Sequence, residues 1–177
     1  MEMARKCARR FNNIYKTDLF PEPQNYYFGA EALKVPGLDG TGKMGKSDGN
    51  CIYLCDEEKV VRKKVMRAVT DNGPQAMNSE KPEVIANLFK MMSIVSSPDT
   101  LQYFDDKWND CTLRYGDMKK QLAEDMVAVL NPIRERIMEY SANRELLDKI
   151  AAEGAEKARE SAAATLKAVR EIIGFRV

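Results

Sequence analysis

These 177 residues contain no histidine. That absence excludes Ser-His-Asp and Cys-His nucleophilic schemes and histidine-ligated metal sites at once. Any catalysis must rest on lysine, arginine, carboxylates, hydroxyls or backbone groups. A bilayer-spanning apolar run is also missing. An excess of either charge is missing too. Lys and Arg number 28 against 27 Asp and Glu, so net charge argues neither for nor against nucleic acid. Cysteines are few: Cys7, Cys51, Cys55 and Cys111. Without a signal-peptide pattern, reduced thiols in a cytosolic protein are the expected state. Cys51 and Cys55 lack both a second pair and a histidine, which argues against structural zinc. No metal-ligating set is expected.

What is present describes a folded, mainly helical protein. Hydrophobic residues make up 44% and charged residues 31% of the chain, a globular rather than disordered balance. Met3, Cys7, Phe11 and Ile14 recur at steps of three and four and predict an amphipathic opening helix. Residues 17–50 read as a connecting region, because Pro21, Pro23, Pro36 and a run of glycines break helices. A short extended piece is expected around Ala32–Leu38 and another apolar run at 51–54. From Asp56, an expected N-cap, the pattern stays helical. Val61, Val65 and Val69 space one face; Ile85, Leu88, Phe89 and Met92 follow Pro82, which suits a first helical turn. "SSPDT" predicts a short helix through Leu101 and Phe104, then a loop around Trp108–Gly116. Leu122, Met126, Leu130, Ile133 and Ile137 mark a long helix, in which Pro132 predicts a kink or junction. Asn143 caps a last helix carrying Leu147, Ile150, Leu166, Val169 and Ile173, with Gly174 as its stop.

The chemistry concentrates in "GLDGTGKMGKSDGN", residues 37–50. Gly40–Ser47 satisfies the phosphate-loop pattern of nucleotide triphosphatases. That loop needs a strand entering and a helix leaving, so that backbone N–H groups cradle phosphates. "DGN" after Ser47 opens a helix poorly, and no alternating strand–helix pattern follows. A second reading asks less of the fold. A mobile glycine-rich loop presents Lys43 and Lys46 as two compact positive charges, suited to charge building on pyrophosphate as it leaves ATP. A solvated turn with lysines for solubility is the plain alternative.

Residues 43–47, K-M-G-K-S, resemble the K-M-S-K-S loop of class I aminoacyl-tRNA synthetases. Together with "KKVMRAVTD", "LNPIRER", "EGAEKARE" and the opening "EMARKCARRFNNIY", the chain resembles the bacterial tryptophanyl-tRNA synthetase family along nearly its whole length. The resemblance implies a mainly α fold: residues 1–55 as the tail of a Rossmann-like catalytic domain, and 56–177 as a helical tRNA-binding bundle. It implies that Lys43 and Lys46 contact the phosphates of ATP, that Ser47 supports the loop or a phosphate, and that Met44 and Gly45 lie by the nucleotide. It further implies Mg2+ with the ATP, tRNA(Trp) and tryptophan as partners, a homodimeric parent, no membrane, and the cytoplasm.

Two departures qualify this. Gly45 stands where the family usually has serine, removing a hydroxyl. The family's histidine-containing ATP motif cannot lie in a histidine-free chain. The expectation is therefore a C-terminal fragment that forms no adenylate alone. Two other classes remain open: another class I synthetase such as the tyrosine-specific relative, and a non-catalytic helical RNA-binding or interaction module. For tRNA, the basic stretch Lys59, Arg62, Lys63, Lys64 and Arg67 reads first as a solvated helix face, and second as a contact for an acceptor end. Tyr103, Phe104 and Trp108 read as core before they read as base-stacking platforms.

Overall fold

The computed structural model describes residues 1–26, 34–40 and 42–175. Its elements are six helices: α1 Glu2–Tyr15, α2 Glu58–Met66, α3 Glu83–Val95, α4 Pro98–Asn109, α5 Tyr115–Ala142 and α6 Arg144–Ile173. No strand forms among the described residues; a single antiparallel bridge joins Pro36 and Lys43. The expected mainly α class holds. No helix among the described residues is long and apolar enough to cross a membrane. The chain separates into two compact units, Met1–Phe28 with Asn143–Val177, and Gly29–Ala142.

In the first unit, α1 forms where the three-four spacing predicts it. Asn12 fastens the following segment to it in both directions: Nδ2 donates to the Phe20 carbonyl at 2.8 Å, and Oδ1 accepts from the Phe20 N–H at 3.2 Å. Phe11 meets the Phe20 ring edge-on at 5.1 Å, and Arg5 Nε donates to the Pro23 carbonyl at 2.9 Å. Arg9 pairs with Glu22. The apolar stripe itself is not covered: only Ala8 of α1 is buried, and Met3 is 73% exposed. In α6, Asn143 Oδ1 accepts from the Leu146 N–H at 3.0 Å, and Gly174 closes the helix in the left-handed region at φ 81°. Both caps are the expected ones. No α6 side chain is buried.

The second unit holds the core. Val61 and Val65 of α2, Ile85, Leu88, Met91 and Met92 of α3, Phe104 and Trp108 of α4, and Met118, Leu122 and Ala123 of α5 pack into one cluster. A fully buried Leu or Ile side chain contributes roughly 1.5–3 kcal/mol. Helix α5 packs against both α2 and α3.

Several boundaries differ from expectation, each for a physical reason. Asp56 is not the N-cap of α2; Glu57 is, and Asp56 instead accepts from the Tyr53 N–H at 2.9 Å and pairs with Lys64 at 2.5 Å. Pro82 is the N-cap of α3 rather than part of its first turn. Val69 lies beyond α2 and is exposed. Helix α4 continues through Trp108, whose buried indole donates from Nε1 to the Ser79 carbonyl at 2.8 Å; a loop there would have lost that packing. Helix α5 runs through Pro132 without ending, since a proline removes only one N–H from a helix otherwise held by packing. Of the extended piece expected at Ala32–Leu38, residues 32 and 33 lie outside the described residues; Pro36 forms the bridge. The run at 51–54 is not a strand, although Cys51 is buried.

Candidate functional site

The lysine loop belongs to the second unit and is anchored at three places. Leu38 inserts into the core; its N–H donates to the Asn50 carbonyl at 3.1 Å, and its carbonyl accepts from the Val69 N–H at 3.0 Å. Met44 N–H donates to the Val35 carbonyl at 2.8 Å beside the Pro36–Lys43 bridge. At the tip, Gly40 sits at φ 79°, and a Cβ there would come within 2.5 Å of Val84 Cγ2. Only glycine meets both demands, left-handed backbone and close approach to α3.

The third anchor is Asn50, the one buried polar residue found among the described residues. Its Nδ2 donates to both carboxylate oxygens of Asp39 at 3.1 Å and lies 3.4 Å from the Lys43 carbonyl. Its Oδ1 accepts from the Gly45 N–H at 2.8 Å. One side chain thus grips the backbone at Lys43 and at Gly45, on either side of Met44. Sequence reasoning missed this pair. Asn50 reads there only as a poor helix former, and its partner lies eleven residues away with no periodic pattern between them.

The lysines and Ser47 are exposed, whereas Met44 is half-buried and packs against the core. Among the described residues neither Lys43 nor Lys46 enters an ion pair, in contrast to Lys64 with Asp56 and Lys81 with Asp105. The loop is therefore fastened at Leu38, Met44 and Gly45 and leaves two ammonium groups in solvent. Such an arrangement can bind and neutralise phosphate oxygens. It is not a triphosphatase phosphate loop. Among the described residues no strand enters it, residues 46–49 form a turn, and the next helix starts only at Glu58.

Gly45 has a specific neighbour. A Cβ built at 45 would overlap the Asp48 carboxylate, which folds back over the turn closed by the Asp48 N–H to the Gly45 carbonyl at 3.2 Å. Gly45 is not among the glycines with positive φ. A serine would fit this backbone and would have only the Asp48 carboxylate to displace.

The basic stretch after the loop divides. Arg62 donates to Glu124 from Nε and Nη2, each at 2.9 Å, and to Glu58 at 2.8 Å, so it ties α2 to α5. Those carboxylates hold its guanidinium pKa above its usual value. Lys64 is paired with Asp56, and Lys59, Lys63 and Arg67 remain exposed. Of the three aromatics, Phe104 and Trp108 are core, while Tyr103 is 56% exposed. No set of three His, Cys, Asp or Glu that could hold a metal ion occurs among the described residues.

The chain belongs to the tRNA synthetases class I (W and Y), the family whose sequence model matches residues 1–131. It is similar to the tryptophan–tRNA ligase of Porphyromonas gingivalis, at 63% identity over 99% of this chain and 54% of that protein. It is also similar to the tryptophan–tRNA ligase of Clostridium longisporum, at 37% identity over 99% of this chain and 52% of that protein. Among solved structures, a tryptophanyl-tRNA synthetase from Campylobacter jejuni complexed with ADP and tryptophan superposes with a TM-score of 0.73 at 28% identity, over 98% of this chain and 53% of that one. The chain spans about half the length of the curated relatives it matches.

Proposed function

We propose that this chain is the C-terminal part of a tryptophan–tRNA ligase, which activates tryptophan with ATP and transfers it to tRNA(Trp). The observation that carries this is the 63% identity to a tryptophan–tRNA ligase, which spans 99% of this chain. The family model takes in the tryptophan and tyrosine enzymes alike, and it is the 63% relative that supports tryptophan.

In this reading Lys43 and Lys46 contact the ATP phosphates. Their ammonium groups stabilise the charge that develops on the pyrophosphate oxygens as the bond to the α-phosphate breaks. Met44 supplies backbone to the nucleotide while its side chain stays against the core. Ser47 offers a hydroxyl to the loop or a phosphate. Gly45 leaves room for the Asp48 carboxylate. The donor set is cationic, with Asp48 as a lone carboxylate at the turn. It suits phosphate oxygens, and Mg2+ would be held mainly by the phosphates of the ATP that brings it. Residues 1–55 serve the catalytic domain, and the helices from 56 onward serve the tRNA. The full-length protein works as a homodimer in the cytoplasm, as the family resemblance implies.

The test is tryptophan-dependent ATP–pyrophosphate exchange by the full-length protein. Lys46→Ala should lower kcat about 10²-fold while changing the KM for tryptophan by less than about threefold, the pattern of a lost transition-state interaction. The 177-residue chain by itself should show no exchange. A Lys46→Ala enzyme with unchanged kcat, or exchange with tyrosine in place of tryptophan, would overturn the assignment.

A further inference from the structure

A second cationic feature lies beside the loop, on the side facing α3. Lys34, Pro36, Gly42 and Lys43 from the loop, and Asn87 and Lys90 from α3, line a cleft of about 410 Å³. Three of these six residues are lysines and none is acidic. Among the described residues none of the three lysines enters an ion pair. Half-buried Arg62 is matched by Glu58 and Glu124 and half-buried Lys81 by Asp105, whereas these three lysines are exposed, as are Lys59, Lys63 and Arg67.

The cleft has fixed walls. The bridge between Pro36 and Lys43 brings the Lys34 and Lys43 segments alongside one another. Gly40 presses the loop tip on Val84 at the start of α3, and Leu38 locks the loop into the core. Asn87 and Lys90 are three residues apart on α3 and so share a helix face.

Asn87 is the independent sign that the cleft is built to receive something. Its Nδ2 is buried and has no hydrogen-bond partner. A buried amide donor left unpaired lowers stability, and an apolar side chain would serve packing better at this position. Local rules are broken in this way mainly at functional sites. The charged residues among the described lining of the cleft are all lysines, so the matching ligand is an anionic acceptor.

We propose that this cleft binds phosphate oxyanions, with Lys34, Lys43 and Lys90 neutralising charge and Asn87 donating to a phosphate oxygen. The phosphates come either from a single RNA strand laid between the loop and α3 or from a nucleotide polyphosphate. Both present the same chemistry. The role of such a site in aminoacylation rests on the ligase reading; the binding itself does not. Lys43 then serves two faces of the loop, which couples the occupancy of the cleft to the position of the ATP-contacting lysines.

The experiment is an NMR titration of the 15N-labelled 177-residue chain at low salt. One arm uses tripolyphosphate and the other a single-stranded RNA hexamer. The readout is the side-chain amide pair of Asn87, together with the backbone amides of residues 87–90. These resonances should shift and saturate in at least one arm, and the arm that saturates at lower concentration identifies the source. Lys34→Ala with Lys90→Ala should weaken binding at least tenfold. In the RNA arm the double substitution should also flatten the log–log salt slope by about 1.4, two lysines at roughly 0.7 each for a single strand. Asn87→Leu should fold with an equal or higher Tm and bind more weakly, a combination that a purely structural Asn87 would not produce. Lys63→Ala, a matched exposed lysine on α2, should bind as the parent chain does. Unmoved Asn87 amide resonances in both arms, or an unchanged affinity for the double variant, would refute the cleft. Lys46→Ala separates the two ideas. If it alone weakens tripolyphosphate binding, the loop reading stands and the cleft falls. If full-length exchange fails while the Asn87 resonances still titrate, the reverse holds.

Discussion

Asn50 and Asp39 meet side chain to side chain, with the Asn50 amide donating to both Asp39 carboxylate oxygens at 3.1 Å. The opposite end of the same amide holds the Gly45 N–H. The orientation of the lysine loop therefore depends on which of the two residues carries the donor. Asn50→Asp would place two carboxylates face to face and remove that donor. Asn50 is buried although Asp39 is exposed, and leaving a buried polar group unmatched costs about 1–3 kcal/mol. Tryptic cleavage after Lys43 and Lys46 should then accelerate about tenfold or more, because it follows local opening. The exchanged pair, Asp39→Asn with Asn50→Asp, restores a donor–acceptor match and keeps an acceptor for Gly45. It should recover most of the resistance, and equal cleavage of single and double variants would exclude this role.

The contact between position 45 and Asp48 predicts a specific non-additivity. Gly45→Ser alone should destabilise the loop by roughly 0.5–1 kcal/mol, as neighbours that compete for space do. Added to Asp48→Ala, the same substitution should be neutral, since its obstacle is gone. Denaturant melts of the four chains of the cycle give the coupling. Full additivity would mean that Asp48 swings aside freely.

Tyr115 should give the protein an alkaline limit. Its phenol donates to the Asp71 carboxylate, and burial followed by that carboxylate holds its pKa well above the usual tyrosine value. In the unfolded chain tyrosine ionises near pH 10. Below that pH the contribution to stability is complete. As pH rises above it, the unfolded state loses the proton first, and stability falls progressively toward the raised native value. Between pH 9 and 11, Tm should therefore decline less in Tyr115→Phe than in the parent chain. Parallel Tm–pH curves would show that Tyr115 titrates normally.

Leu122 and Leu147 have the same place in the helical sequence pattern and opposite places in the fold. Leu122 is fully buried and Leu147 is 37% exposed. Leu122→Ala should cost about 2–5 kcal/mol by cavity formation, and Leu147→Ala within about 0.5 kcal/mol. Chemical denaturation of each variant of the isolated chain decides the matter.

Apolar spacing together with cap residues was enough to place every helix. Periodicity at three and four residues is a local property, and α1, α3 and α6 follow it closely. The caps at Asn143 and Gly174 were legible for the same reason: a side-chain acceptor and a left-handed glycine act on neighbours a few residues away. Two boundaries that sequence reasoning misplaced depend on particular side-chain partners. Asp56 is drawn from a capping role by Lys64 and the Tyr53 N–H, and Trp108 extends α4 because Ser79 and the core receive it.

The lysine loop divides along the same line. Its residue types were readable, and two lysines among glycines fitted a phosphate contact and a solvated turn alike. Whether that loop was a triphosphatase cradle turned on what leaves it, and the absence of a helix at Ser47 excludes the cradle.

By itself, then, the sequence determined the mainly helical class, the locations of the helices and the cationic loop, because each is written in neighbouring residues. Tertiary structure decided which cations are free. Arg62 and Lys64 look as available as Lys34, Lys43 and Lys90 in the sequence, yet Glu124 lies 62 residues from Arg62 and quenches it. It also decided that Asn50 and Asp39 hold the loop and that Asn87 and Lys90 face it. Those relations are set by where α3 and α5 pack against the segments before α2, and no local pattern encodes a distance across a core.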